Sequence, residues 1–194
     1  MPEDQIAVLT GDIIGSTSLA RDDLRRVTNV LQNTADNPVT WSRGDTWQIA
    51  LRHPAQALRT ALVITAALTA EKFATRISIA TGSAPAFLPE DLNRATGDVF
   101  TRSGRALDDM PTDRRLVHAD GGALDAVARL ADAIAQGWTP TQAIAAQRLL
   151  HTEQPTRTAV AKGLGISRQA VDKSAHGADV PALLYALGAI EAET

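Results

Sequence analysis

The sequence predicts an α/β (α+β) chain, with a mixed unit over residues 1–137 and a small all-helical unit over 138–194. Three observations predict it. Short runs of branched apolar residues alternate with helical-period segments as far as Gln136. From Thr139 onward no strand pattern occurs, and Pro155, Gly163, Gly165 and Gly177 separate helices instead. With 194 residues the chain is long enough to bury a core without cross-links, and it has no cysteine. That absence excludes a disulfide scaffold, a cysteine zinc site and a thiol nucleophile.

Ile6–Ile14 is short and apolar and ends at the turn signal Gly15-Ser16-Thr17, so it reads as a buried strand. Ser18–Leu31 places Leu19, Leu24, Val27, Val30 and Leu31 at helical spacing, with Ser16 or Thr17 as N-cap. Arg21, Arg25 and Arg26 form its solvated face. Asp36-Asn37-Pro38 breaks the pattern. Val39–Ser42 and Thr46–Leu51 flank Arg43-Gly44-Asp45 and predict a hairpin, with Trp41 and Trp47 packing on the sheet. Pro54–Phe73 predicts an Ala-rich helix, Arg76–Thr81 a strand, Ala95–Met110 a helix, Arg115–His118 a short strand and Gly121–Gln136 a helix. The first six elements run strand, helix, strand, strand, helix, strand. A split βαββαβ order of this kind predicts a ferredoxin-like layer of helices on one antiparallel sheet.

The helical unit opens with Thr139-Pro140-Thr141-Gln142, a capping box with Pro at the first helical position. Further on, Thr158–Val171 carries Ala161, Leu164, Gly165, Ile166, Ser167 and Val171, a spacing similar to the helix-turn-helix of bacterial regulators. Ala161 lets two helices cross closely, and Leu164 and Ile166 fill the wedge. Gly165 takes the left-handed turn, Ser167 caps the second helix and Val171 packs its inner face. The second helix then turns Arg168, Gln169, Asp172, Lys173 and His176 outward, with Ser167 at its start, as the candidate DNA-binding residues. Arg and Gln suit base edges and Lys suits phosphate. Gly163 departs from the pattern, because a helix interior disfavours glycine. Val180, Leu183, Leu184, Leu187 and Ile190 predict a terminal packing or dimer helix.

In the mixed unit, Asp12 ends the first strand and Asp45 sits in the hairpin tip. Neighbouring strands would bring both carboxylates to one rim, the donor set for Mg²⁺ or Mn²⁺ with nucleotide phosphates. Gly15, Ser16 and Thr17, read as leading into a helix N-terminus, would favour a phosphate. Arg105, in Ser103-Gly104-Arg105, could add a charge-assisted contact. The stretch Gly11–Thr17, followed by Gly44-Asp45, resembles the catalytic domain of class III nucleotide cyclases. Gly44-Asp45-Thr46-Trp47-Gln48 resembles the second motif of the SatD family more closely, a reduced cyclase domain followed by a helix-turn-helix. The resemblance spans most of residues 6–178. It implies metal binding at Asp12 and Asp45, two base-selecting positions at Trp41 and Arg94, and transition-state positions at Thr101 and Arg105. In cyclases a head-to-tail dimer completes that site. Trp41 stands where cyclases have a Lys, and Thr101 where they have an Asn. The metal half therefore matches the pattern and the base-selecting half does not, which favours binding a nucleotide-like ligand over turning it over.

Charge refines this. The net charge is −3, yet residues 139–178 carry five Lys or Arg against two acids. A basic helical module thus lies between two acidic parts, and global acidity does not exclude double-stranded DNA. The four His show no ligand spacing, and no Walker or Gly-x-Gly-x-x-Gly motif occurs. The longest apolar run, Ala61–Ala70, is too short for a membrane span, and the acidic N-terminus lacks a signal core. A cytoplasmic homodimer is expected. The reading is a DNA-binding transcriptional regulator whose cyclase-like domain dimerises and senses a nucleotide or a metal. The alternative is a two-metal nucleotidyl cyclase with altered base selectivity, and the third is a dimerisation module that binds nothing.

Overall fold

A computed structural model describes residues 5–42, 44–85 and 88–192. Residues 1–4 of the acidic N-terminus and Arg43 of the hairpin tip lie outside them. The chain is a mixed α/β fold with a five-stranded sheet and eight α-helices among the described residues. The strands are β1 (Gln5–Ile13), β2 (Thr40–Trp41), β3 (Trp47–Leu51), β4 (Thr75–Ser83) and β5 (Leu116–His118). Their order across the sheet is β2-β3-β1-β4-β5. The first four pair antiparallel and β5 joins β4 in parallel, so the sheet is mixed rather than purely antiparallel.

Helices α1 (Arg21–Thr34), α2 (Ala57–Ala70), α3 (Asp98–Asp108) and α4 (Gly122–Gln136) belong to the first part of the chain. Strand alternation sends Ala7, Leu9, Ile13, Ile49, Leu51, Ile77 and Ile79 to the face under α1 and α2. Ile6, Val8 and Ala80 point the other way, against Val99 and Phe100 of α3. The two helices of the first six elements, α1 and α2, thus share one face, and α3, which follows them, covers the second. The reason is visible in β1, which is buried on both sides and needs cover on both. Between α3 and the sheet lies a buried polar layer. Ser103 donates to Thr10 Oγ1 at 2.7 Å, and Ser78 donates to the Ser103 carbonyl at 2.6 Å.

The later helices are α5 (Pro140–Leu149), α6 (Arg157–Leu164), α7 (Arg168–Gly177) and α8 (Val180–Ala192). The capping box at Thr139 and Gln142 forms as its sequence predicts. Ala143, Ala146, Leu149 and Leu150 join the same buried cluster as Ala61, Leu62 and Val63 of α2. The apolar core thus runs on past Gln136–Thr139. Arg59 of α2 strengthens the join. It is 2% exposed, bonds both carboxylate oxygens of Glu191 on α8, and donates to the Leu150 carbonyl. The end of α7 is fixed by Trp138 Nε1 donating to the Ala178 carbonyl at 3.0 Å and Gln142 Nε2 to the Gly177 carbonyl at 2.7 Å. No helix is long and apolar enough to cross a membrane.

Candidate functional site

Two features gather the predicted residues: a rim of the sheet and an exposed helix. At the rim, Asp12 lies near the end of β1 opposite Arg76 at the start of β4. Cross-strand partners share a face, so the carboxylate and guanidinium meet. Arg76 spans both oxygens of Asp12, with Nε to Oδ1 at 3.0 Å and Nη2 to Oδ2. Thr75 Oγ1 donates to the Asp12 carbonyl at 2.6 Å and steadies the corner. The Asp12 hydrogen bond, with further attraction from Asp12, Asp45 and Asp108, holds the Arg76 guanidinium above its ordinary range. Sequence reading missed Arg76; the signal was a basic residue in register with Asp12 once β1 and β4 are paired.

Asp45 lies in the β2–β3 connection, which closes with Ser42 N–H donating to the Thr46 carbonyl at 2.8 Å and turns at Gly44, φ 83°. Its carboxylate accepts from Ser16 Oγ. This corrects the expected cap: Ser16 serves Asp45, and neither it nor Thr17 caps α1. Gly15, with φ 74°, turns the chain into a three-residue 3₁₀ segment over Ser16–Ser18, and α1 starts later, after Ala20. The α1 amides are accordingly not at Gly15–Thr17.

Gly11 explains why the two short motifs occur together. It pairs with Trp47, and a Cβ built at Gly11 would lie 2.3 Å from the Trp47 ring and 2.7 Å from the Arg76 carbonyl. Only glycine leaves room for the indole. Trp41, Trp47 and Gly11 form one row across β2, β3 and β1. That row faces the α1–α2 side, while Asp12, one residue on, faces the α3 side. Trp41 consequently packs on the sheet, on the opposite face from the Asp12 carboxylate. Asn93, which sequence reading passed over, donates to the Trp41 carbonyl at 2.9 Å and accepts from Ser42 at 2.8 Å. Arg94 follows it in an exposed 3₁₀ turn.

Thr101 and Arg105 share the outer face of α3, because Ser103 turns inward. Thr101 bonds back to the Gly97 carbonyl, and the Arg105 side chain has no hydrogen-bond or ion-pair partner among the described residues. Neither is hydrogen-bonded or ion-paired to Asp45 among the described residues. As they stand, these residues do not fit a two-metal centre. One of the two carboxylates is already neutralised by a guanidinium, and no group of three or more His, Asp or Glu able to hold a metal occurs among the described residues.

The exposed helix is α7. Gly165 ends α6 in the left-handed conformation, φ 66°. Its N–H bonds the Lys162 carbonyl at 3.3 Å and that of Ile166 the Ala161 carbonyl at 3.1 Å, the paired bonds of a Schellman end. Ser167 caps α7 through the Ala170 N–H at 3.1 Å, and Val171 and Ala175 are buried beneath it. Arg168, Gln169, Lys173 and His176 are exposed on its outer side. Two expectations are corrected. Asp172 is not free: it accepts from Arg157 of α6 at 2.6 Å and pairs with Arg168 at 3.7 Å, tying the helices together. Ile166 is 45% exposed and does not fill the wedge, which Leu164 and Val160 occupy from within α6.

No protein-family model matches the chain, and no curated protein sequence matches it.

Proposed function

We propose that this chain is a DNA-binding transcriptional regulator that reads an operator with α7. The observation that carries it is the α6–Gly165–α7 geometry: a Schellman end, a Ser cap and a buried Val171 beneath an exposed row of Arg168, Gln169 and Lys173. A helix-turn-helix joins two helices by a short turn and presents the second to the major groove. Lys162, on the preceding helix, adds a third exposed cation. The strand order β2-β3-β1-β4 also supports a ferredoxin-like, cyclase-related scaffold of the SatD type, with β5 added at its edge.

In this reading the α/β unit dimerises and senses. A twofold dimer would set two α7 helices about 34 Å apart, one turn of DNA. Its trigger is a nucleotide-like ligand whose phosphate competes with Asp12 for Arg76. A ligand can shift the dimer only if it binds the two arrangements differently. Arg76 also speaks against the nucleotidyl cyclase reading, because it occupies the carboxylate such chemistry needs free.

The test is binding of the purified chain to DNA from upstream of its own gene, against scrambled DNA. Specific binding weakened by Arg168→Ala and Gln169→Ala is the expected result. No preference for either DNA would overturn the proposal. Incubation with the four nucleoside triphosphates and Mn²⁺ separates the enzymatic reading: a product lost in Asp45→Ala would establish it.

A further inference from the structure

We propose that the cavity between the ends of α1 and α5 and the inner side of α6 binds a small zwitterion of the α-amino-acid class. The cavity measures about 350 Å³. That is near the small end of the roughly 300–1,000 Å³ range of small-molecule sites. It lies behind the DNA-facing helix pair and is separate from the Asp12 rim. Val63 and Val160 give it an apolar wall.

Its polar lining comprises Asn33, Thr34, Gln147, His151, Arg148 and Glu153, and His151 lies 4.0 Å from the Asp36 carboxylate. Arg148 and Glu153 both line the cavity, and neither side chain makes a hydrogen bond or ion pair among the described residues, not even with the other. An anionic ligand alone would face Glu153, and a cationic one would face Arg148. A molecule carrying both charges satisfies both, and its apolar side chain can lie on the valines.

Gly163 supplies an independent observation. It sits inside α6, where alanine is the better helix former. Its φ is not positive, and a Cβ built there meets no atom within 4 Å. Neither backbone conformation nor packing demands glycine. What residue 163 borders is the cavity, and the missing side chain keeps that space open. Since α6 carries α7, an occupant bears on the DNA-facing helix. That coupling rests on the DNA-binding reading; ligand binding itself does not.

The full chain would be tested by calorimetry and thermal shift with the standard L-amino acids up to millimolar concentration. Each would be compared with its N-acetyl derivative and its decarboxylated amine, which remove one charge apiece. At least one amino acid should bind saturably while both of its single-charge analogues fail. Arg148→Gln and Glu153→Gln, both at exposed positions, should each weaken binding by about tenfold or more. Gly163→Leu should fill the cavity and abolish binding, with its folding checked by circular dichroism. The proposal is overturned if no amino acid binds, if an analogue binds as well as its parent, or if binding survives both charge substitutions. A chain that binds an amino acid but no DNA keeps the site and loses the regulator reading; the opposite result does the reverse.

Discussion

Arg59 is the side chain on which the attachment of the C-terminal helices most depends. Its Nε and Nη2 donate to the two carboxylate oxygens of Glu191 at 2.6 and 2.8 Å, and Nη1 donates to the Leu150 carbonyl at 3.2 Å. Three donors of one buried group thus tie α2 to α8 and to the end of α5. Arg59→Met keeps most of the stem and removes the charge. It leaves behind the Glu191 carboxylate, 21% exposed, and an unpaired carbonyl. Breaking one side of a buried pair costs about 3–5 kcal/mol, and the partial exposure of Glu191 sets the expectation at about 3 kcal/mol. For a chain of this length that lowers Tm by about 6–12 °C. Removing both charges, in Arg59→Met with Glu191→Leu, should recover most of the loss, because apolar replacement of a buried pair is often close to neutral. Urea unfolding with linear extrapolation measures all three proteins. A single variant within about 0.5 kcal/mol of the parent would refute the reasoning, since that is the range of ordinary surface changes. So would a double variant less stable than the single one.

Three further outcomes follow from the same geometry. Gly11→Ala should destabilise by about 1–3 kcal/mol through overpacking against Trp47, and an unchanged urea midpoint would show that the sheet accommodates the methyl. Burial pushes the His118 imidazole below its usual 6.5, with Asp120 and Asp125 pulling back in part. The folded chain therefore takes up this proton at lower pH than the unfolded one, so stability present above about pH 6.5 is lost as pH falls below it. Melting temperatures from pH 7.5 downward should show that loss, and His118→Gln should flatten it. Ser167→Ala removes the α7 cap at a cost of about 1 kcal/mol and should also weaken DNA binding; a change confined to stability would separate the cap from recognition.

Local signals carried much of this fold. The capping box at Thr139, the left-handed Gly165 and the Ser167 cap each depend on a few adjacent residues, and each formed where expected. Strand positions held within a residue or two for the same reason: Ile77 and Ile79 alternate whichever strands adjoin them. What lay beyond the sequence was pairing at a distance. Arg76 meets Asp12 across 64 residues, and Arg59 meets Glu191 across 132. Neither can be read without the register and the packing of α8. The helix over Ala95–Met110 was legible, but the face it covers was not, because Ser103 shows its inward role only once Thr10 and Ser78 are placed beneath it. Ser16 was assigned to α1 because Ser before an apolar period commonly caps a helix; Asp45 claimed its hydroxyl instead. Nothing local explains a glycine at position 11 inside a strand, and its reason is the ring of Trp47, 36 positions further on.

The central claim is that α7 and its neighbour form a DNA-reading surface. It is tested most directly by the salt dependence of binding to DNA from upstream of the gene. If Lys162 and Lys173 of both protomers contact phosphates, log affinity should fall with log salt at a slope of about −3 to −4. Lys173→Ala in both protomers should make that slope shallower by nearly 2, while affinity for the specific DNA stays above that for scrambled DNA. A slope unchanged by Lys173→Ala, or equal affinity for both DNAs, would contradict the account.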